Sequence, residues 1–185
     1  FPYTTLFRSL GPGMNSMSAE EERQFVDTNV LVYAYDLTAV VKQARAEALL
    51  SELWHSGQGC LSIQVLQEFF AVTTRKIRQI LPPDKAAAVV SDMAQWRVHS
   101  PVAADVLAVI ELAERHRISY WDASIIVSAQ RLGCRTLWSE DLQDGAHFGE
   151  VRVRNPFGQA GLCQEPAAEF GPAPAAPAGK RRKRN

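Results

Sequence analysis

The sequence predicts an α/β fold, specifically a three-layer α/β/α sandwich with a central parallel sheet. Short apolar segments typical of buried strands alternate along the chain with longer segments whose apolar residues recur every three or four positions. Strands that are separated by helices pair in parallel, and the crossover helices then cover both faces of the sheet. Glycine and proline stand at several of the predicted helix ends, which supports these boundaries.

The first half of the chain contains two predicted strands and three predicted helices. In order, these are the strand 23–27, the helix 40–57, the strand 59–63 and the helices 64–80 and 83–96. Gly57 ends the first helix, while Pro82 and Pro83 end the second by removing backbone donors. Pro83 also suits the first turn of the third helix. After Asp27, the apolar residues up to Asp36 are themselves spaced as in a helix.

The second half continues the alternation of strands and helices. Its elements are the strand 97–102, the helices 103–117 and 119–133, and the strands 134–139 and 150–157. We therefore expect one folded domain over residues 23–157. Residues 1–22 have no clear period and are predicted to be a disordered or non-native extension. Residues 158–185 are rich in Pro and Ala, end in "KRRKRN", and are predicted to be a disordered basic tail.

Composition narrows the class of protein without naming a function. The 185 residues carry a formal net charge of zero, so only local charge can favour a nucleic-acid partner. No apolar run approaches the roughly 20 residues that cross a bilayer, so no membrane partner is expected. The three cysteines form no C-x-x-C pair, and the four histidines lack the short spacing of zinc sites. These features predict a cytoplasmic protein with reduced thiols.

Four acidic residues are placed where they can meet. Asp27 and Asp141 follow predicted strands, Asp122 opens a helix, and Glu68 lies early in a helix that follows a strand. In a parallel sheet, functional groups gather outside the carboxyl ends of the strands. We therefore expect the four carboxylates to converge on one rim of the sheet.

Each acid also has a purely structural interpretation. Asp27 can cap the following helix, and Asp122 can form a capping-box variant with Ser119. Glu68 can be a solvated residue beside the core, and Asp141 can form an Asx turn before the following glycine. The joint placement favours a shared role, because clustered carboxylates raise one another's pKa unless a cation neutralises them. Carboxylate oxygens select Mg2+ or Mn2+ over zinc.

Four blocks of the sequence resemble the PIN domain family, and within it the VapC-like toxins of bacterial toxin–antitoxin modules. The blocks are "FVDTNVLVYAYD", "SIQVLQEFF", "SYWDASIIVSA" and "LWSEDLQDG…NPF", which occur in the family's order across about residues 24–157. The resemblance implies a metal-dependent endoribonuclease whose acidic quartet is Asp27, Glu68, Asp122 and Asp141. Many relatives have Thr before the last acid, where this chain has Ser139 and Glu140. Asp144 is therefore an alternative fourth acid.

Specific roles follow from this resemblance and from charge. Asp27 and Asp122 are the expected main ligands of Mg2+ or Mn2+, and the other two acids would complete the site through ordered waters. One of those two acids would accept the proton of the attacking water. Thr28 and Asn29 are expected to hold Asp27, and Ser139 to act similarly near Asp141.

The expected partners are an RNA substrate, a cognate antitoxin protein and a second copy of the chain. Arg75, Lys76 and Arg78 could attract phosphates or could simply complement the end of a helix. The four tryptophans are predicted to be core residues, and none is assigned to RNA. The antitoxin would insert a basic side chain into the acidic groove while its helix covers apolar surface of the first helices.

Other classes of protein fit less well. A phosphoacceptor domain would need an earlier acidic pair, and neither the P-loop nor the dinucleotide-binding glycine motif occurs. The remaining alternative is a catalytically silent PIN-like module that only binds RNA or a protein. The presence of all four acids favours the enzyme.

Overall fold

The computed structural model describes residues 22–75 and 79–158, which form an α/β fold with a central, mostly parallel sheet. The strands are β1 Gln24–Val26, β2 Gly59–Ser62, β3 Arg97–His99, β4 Thr136–Trp138, β5 His147–Phe148 and β6 Val151–Arg154. The helices are α1 Thr28–Tyr33, α2 Val40–Ser56, α3 Ile63–Thr73, α4 Pro83–Met93, α5 Ala103–His116 and α6 Tyr120–Arg131. The predicted fold class is confirmed, and so is the predicted order of these elements apart from β5.

The sheet has the strand order β3-β2-β1-β4-β6-β5 and is parallel except for the last pair. Helices α1 to α4 pack in one connected group, and α5 packs along α6. Helical crossovers between parallel strands bury the sheet under helices. Strands β1 and β4 are neighbours in register, with Val26 opposite Trp138. The residues that follow these two strands, Asp27 and Ser139, therefore emerge side by side.

The core that fixes this arrangement consists of side chains from the sheet and from the helices on it. Phe25, Leu61 and Leu137 of the sheet are fully buried, as are Phe69 of α3 and Ile126 of α6. Full burial of a side chain of this size stabilises the fold by about 1.5–3 kcal/mol. Anchoring by Phe69 and Ile126 fixes the two helices that carry Glu68 and Asp122. The core thus determines the positions of two of the predicted site residues.

The structure shortens one predicted helix and adds one strand that was not predicted. Helix α3 ends at Thr73 rather than at residue 80, and the backbone carbonyl of Thr73 accepts hydrogen bonds from Ile80 and Leu81. The Thr73 hydroxyl donates to the carbonyl of Phe69 at 2.8 Å, a local bond that competes with helix continuation. Strand β5 was not predicted, since its two residues give no detectable period.

Several predictions lie outside the described residues. These are the structure of the two predicted tails, apart from residues 22 and 158 at their edges, and the placement of Lys76 and Arg78. Within the described ranges, no helix combines the length and the apolar character that a membrane span requires.

Candidate active site

The structure places all four predicted acids along one cleft of about 1300 Å³. Asp27 follows β1 and Asp141 follows β4, while Glu68 lies in the second turn of α3 and Asp122 in the first turn of α6. Asp27 is buried, Asp122 is half-buried, and the other two are exposed. One carboxylate at the base of the cleft is thus accompanied by three that solvent reaches more easily.

Asp27 is held by three hydrogen bonds at the end of β1. Its Oδ1 accepts from the backbone N–H of Thr28 at 2.6 Å, and its Oδ2 accepts from Asn29 Nδ2 at 2.8 Å and from Ser139 Oγ at 2.7 Å. Asp27 is also the N-cap residue of α1, so the capping interpretation describes its local geometry correctly. Asp27 therefore caps α1 and lines the cleft at the same time.

The pKa of Asp27 is raised to about 6, chiefly because burial disfavours its charged form. The hydrogen bonds from Ser139 and from Thr28 lower the pKa, but they do not offset burial. The negative charges of Asp141 and Glu68 raise it further. The cleft therefore has a local excess of negative charge that a cation would relieve.

Asn29 connects two of the acids. Its Nδ2 lies 2.8 Å from Asp27 Oδ2 and 3.0 Å from Asp141 Oδ2, and its Oδ1 accepts from the backbone N–H of Glu140 at 3.3 Å. The first turn of α1 is in this way tied to the loop after β4. Asn29 thus does more than hold Asp27, because it also sets the position of Asp141.

Thr28 acts on two acids through different atoms. Its backbone N–H holds Asp27, whereas its hydroxyl donates to Glu68 Oε2 at 2.8 Å. This bond joins α1 to α3 and orients the Glu68 carboxylate. The side chain of Thr28 therefore serves Glu68 rather than Asp27.

Ser139 is fully buried and fixes the turn that carries the last acid. Its hydroxyl donates to Asp27 and accepts from the backbone N–H groups of Asp141 at 3.2 Å and Leu142 at 3.4 Å. Asp144 does not line the cleft, and its Oδ1 accepts from the backbone N–H of Asn155 at 2.9 Å. Of the two candidates for the fourth acid, Asp141 is the one that reaches the cleft.

The donor set fits a hard divalent ion, although no ready-made cage is present. Within residues 22–75 and 79–158, no three His, Cys, Asp or Glu side chains gather closely enough to hold a metal as they stand. Mg2+ is usually bound through only one or two carboxylates and keeps several of its waters. Asp27, with its raised pKa, and the carboxylates across the cleft provide oxygen ligands of that kind.

An ion pair that was not predicted from the sequence lies at the wall of the cleft. Lys42 of α2 pairs with Glu140, donates to the hydroxyl of Tyr33 at 3.0 Å, and lies 4.4 Å from the centroid of that ring. Glu140 raises the pKa of Lys42, so the ammonium group stays charged. No local signal could predict this pair, since 98 positions separate its members. Arg75, just after α3, also lines the cleft.

Comparisons with known proteins identify a family and several similar folds. The sequence model of the PIN domain matches residues 25–145. The fold is similar to that of the Mycobacterium tuberculosis toxin VapC20, described as cleaving the sarcin-ricin loop. The two are 22% identical, with a TM-score of 0.51 over 70% of this chain and 98% of that one.

Two DNA-bound VapBC complexes are also similar in fold. The Salmonella typhimurium complex has 16% identity and a TM-score of 0.53, over 72% of this chain and 98% of the matched chain. The Rickettsia felis VapBC2 complex, bound to a promoter fragment, has 15% identity and a TM-score of 0.51 over 71% and 97%. Curated protein sequences gave no significant match.

Proposed function

Because this chain belongs to the PIN domain family, we propose that it is a metal-dependent endoribonuclease and the toxin of a toxin–antitoxin pair. The observation that carries the proposal is the shared cleft of Asp27, Glu68, Asp122 and Asp141. These acids come from four separate segments of the chain, and a purely structural role for each would not require them to share one cavity. The fold similarity to VapC20 supports the same reaction class.

The proposed ligands of Mg2+ or Mn2+ are Asp27 and Asp122. When bound, the ion would stabilise negative charge on the phosphate oxygens and lower the pKa of a water molecule. Asp27 would contribute a fixed carboxylate, because Ser139 and the amide of Thr28 hold its two oxygens in place. Such outer partners preserve the orientation of a ligand without binding the ion themselves.

Glu68 and Asp141 are proposed to complete the site through ordered waters, with one of them accepting the proton of the attacking water. Each is oriented by a donor from α1. Thr28 Oγ1 holds Glu68 at 2.8 Å, and Asn29 Nδ2 holds Asp141 at 3.0 Å. Both acids are exposed, so a water molecule has access to either carboxylate.

The RNA backbone is proposed to meet the cationic side chains of the cleft. Arg75 is exposed there, and its planar guanidinium suits two phosphate oxygens at once. Lys42 adds a second positive charge, which its ion pair with Glu140 partly neutralises. These local charges can steer RNA although the formal net charge of the chain is zero.

The proposed regulator is an antitoxin that occupies the cleft. Similar folds occur in a toxin–antitoxin complex from Klebsiella pneumoniae and in the two VapBC complexes. An arginine of the antitoxin would pair with the carboxylates in place of the metal. Leu37, Val40 and Val41 are exposed before and at the start of α2, beside the cleft-lining Ala39 and Lys42, and offer apolar surface to a partner helix. The exposed faces of the first helices are also proposed to support a homodimer.

The test of the proposal is cleavage of total RNA by the purified, metal-stripped chain during a titration with Mg2+ or Mn2+. We expect no cleavage in EDTA and a rate that rises to saturation with added metal. Undiminished cleavage by protein shown to be metal-free would refute metal dependence. RNA binding without cleavage at any metal concentration would instead identify the catalytically silent module.

A further inference from the structure

Trp121 differs from the other tryptophans of the chain. Trp54 is buried, and Trp96 and Trp138 are partly buried against the main core, as the sequence predicted. Trp121 is 62% exposed, so the prediction that it belongs to the core is wrong. An exposed indole leaves a large apolar surface in water, which is unusual for a residue whose only role is packing.

The position of Trp121 relates it to the proposed chemistry. It is the second residue of α6, directly before the proposed ligand Asp122, and its side chain lines the same cleft as the four acids. The ring of Tyr120 stands nearly perpendicular to it, at 86° with centroids 5.3 Å apart. This edge contact supports the orientation of the indole while more than half of the side chain stays accessible.

Three kinds of group therefore share one cleft: carboxylates, cations and an accessible aromatic ring. Carboxylates suit a metal, while Lys42 and Arg75 suit phosphates. An aromatic ring suits the face of a nucleobase, because base stacking on such rings is strong and tolerates any base. One ligand can interact with all three kinds of group, namely a single-stranded nucleic acid whose backbone runs past the four acids.

We propose that Trp121 stacks on an unpaired base next to the scissile phosphate and so positions the RNA relative to the four acids. A base inside a duplex is already stacked on both faces and is not available to the indole. The inference rests on the proposed ribonuclease function and adds a residue that positions the RNA in the cleft. The alternative explanation for the exposure of Trp121 is that it contacts a second copy of this chain. The exposed apolar residues of α5, Val106, Leu107 and Ile110, do not line the cleft and provide a separate surface for such contacts.

The first arm of the test measures RNA binding in chelator, where the metal cannot support cleavage. Fluorescence anisotropy of a labelled single-stranded RNA reports the Kd for wild type, Trp121→Ala and Trp121→Phe. We expect Trp121→Ala to raise the Kd about 5- to 150-fold, and Trp121→Phe to retain most of the affinity. Leu107→Ala is the matched control, because Leu107 is equally exposed and apolar but lies outside the cleft. Circular dichroism verifies that each variant is folded.

The second arm replaces one nucleotide at a time by an abasic residue. In wild type, the abasic residue at one position should weaken RNA binding as much as Trp121→Ala weakens the binding of intact RNA. Trp121→Ala itself should bind that abasic RNA no more weakly than it binds intact RNA. A duplex of the same sequence should bind wild type and Trp121→Ala equally.

Three results would overturn the inference. The first is Trp121→Ala binding RNA as tightly as wild type, and the second is an abasic loss that is the same in both proteins. The third is a change of oligomeric state in Trp121→Ala, measured by light scattering, while the affinity lost on abasic substitution stays the same as in wild type. In all three cases, metal-dependent cleavage by wild type would leave the proposed function intact. Wild type that neither binds nor cleaves RNA would refute both.

Discussion

Ser139 donates a hydrogen bond of 2.7 Å to Oδ2 of Asp27 and thereby joins the ends of the neighbouring parallel strands β1 and β4. The bond lowers the pKa of Asp27 against the larger effect of burial. Because Ser139 is fully buried, water cannot replace its hydroxyl easily. The charge of Asp27, the most buried of the four predicted acids, thus depends on a residue 112 positions away.

Ser139→Ala should weaken catalysis mainly by raising the pKa of Asp27. With the hydroxyl removed, Asp27 ionises at higher pH, so the acidic limb of the pH–rate profile should move upward. Activity at neutral pH should fall about 10- to 100-fold, as is usual for outer partners of a metal ligand. Ser139→Thr keeps the hydroxyl and should restore the position of the limb. An unshifted limb in Ser139→Ala would contradict this role.

Asp27→Asn should stabilise the protein at high pH when no divalent ion is present. The folded-state pKa of about 6 lies above the ordinary value of 3.8, so ionisation costs the folded state increasingly as pH rises between these values. Above pH 6 the full cost is about 3 kcal/mol. The expected net gain in the free energy of unfolding is smaller, about 1–3 kcal/mol, because the new side-chain amide is a poorer partner for the donor Asn29 than the carboxylate is.

Urea denaturation at pH 4 and pH 8 measures this gain. The gain in free energy of unfolding of Asp27→Asn over wild type should be large at pH 8. It should vanish towards pH 4, where Asp27 of the folded wild type is protonated and so also neutral. Added Mg2+ should raise the stability of wild type more than that of the variant, because it binds the folded state through Asp27. An equal advantage at both pH values would show that the charge of Asp27 is not its source.

Asp141→Asn and Asp144→Asn form a matched pair that identifies the fourth acid. Asp141 lines the cleft and is oriented by Asn29, whereas Asp144 accepts from the backbone of Asn155 outside it. We expect Asp141→Asn to lose at least about tenfold in cleavage rate and Asp144→Asn to stay near wild type. A loss confined to Asp144→Asn would reverse the assignment.

Inhibition by the cognate antitoxin should weaken as Mg2+ rises, because ion and arginine compete for Asp27 and Asp122. Co-purification with the product of the neighbouring gene, followed by a metal titration of its inhibition, measures this competition. Failure to find a bound partner, or inhibition indifferent to Mg2+, would refute this account of regulation.

Much of the fold could be predicted because each long element has its own local signal. Gly57 closes α2 in the left-handed conformation, and Pro83 opens α4, as their positions in the sequence suggested. The convergence of the four acids followed from the rule that strand ends meet at one edge. Local signals failed where the outcome depended on tertiary contacts, as at Thr73, where the helix ends and the backbone carbonyl accepts hydrogen bonds from Ile80 and Leu81.

The fine structure of the cleft could not be predicted for the same reason. The hydroxyl of Thr28 bonds to Glu68 rather than to Asp27, a choice set by the packing of α1 on α3. Trp121 was expected in the core because it stands in an apolar segment. Its exposure depends on the position of α6 relative to the cleft, which the pattern of that segment does not contain.

Metal-dependent catalysis by the acids of the cleft can be measured as the Mg2+ dependence of single-turnover RNA cleavage by wild type and Asp122→Asn. Asp122 is the proposed ligand contributed by α6, whereas Asp27 follows β1, so Asp122→Asn tests whether carboxylates from separate elements act together. Wild type should be inactive in EDTA and should recover with Mg2+, while the cleavage rate of Asp122→Asn should be more than about 100-fold lower at every Mg2+ concentration. Cleavage by Asp122→Asn at the wild-type rate, or by metal-free wild type in EDTA, would refute metal-dependent catalysis by these acids.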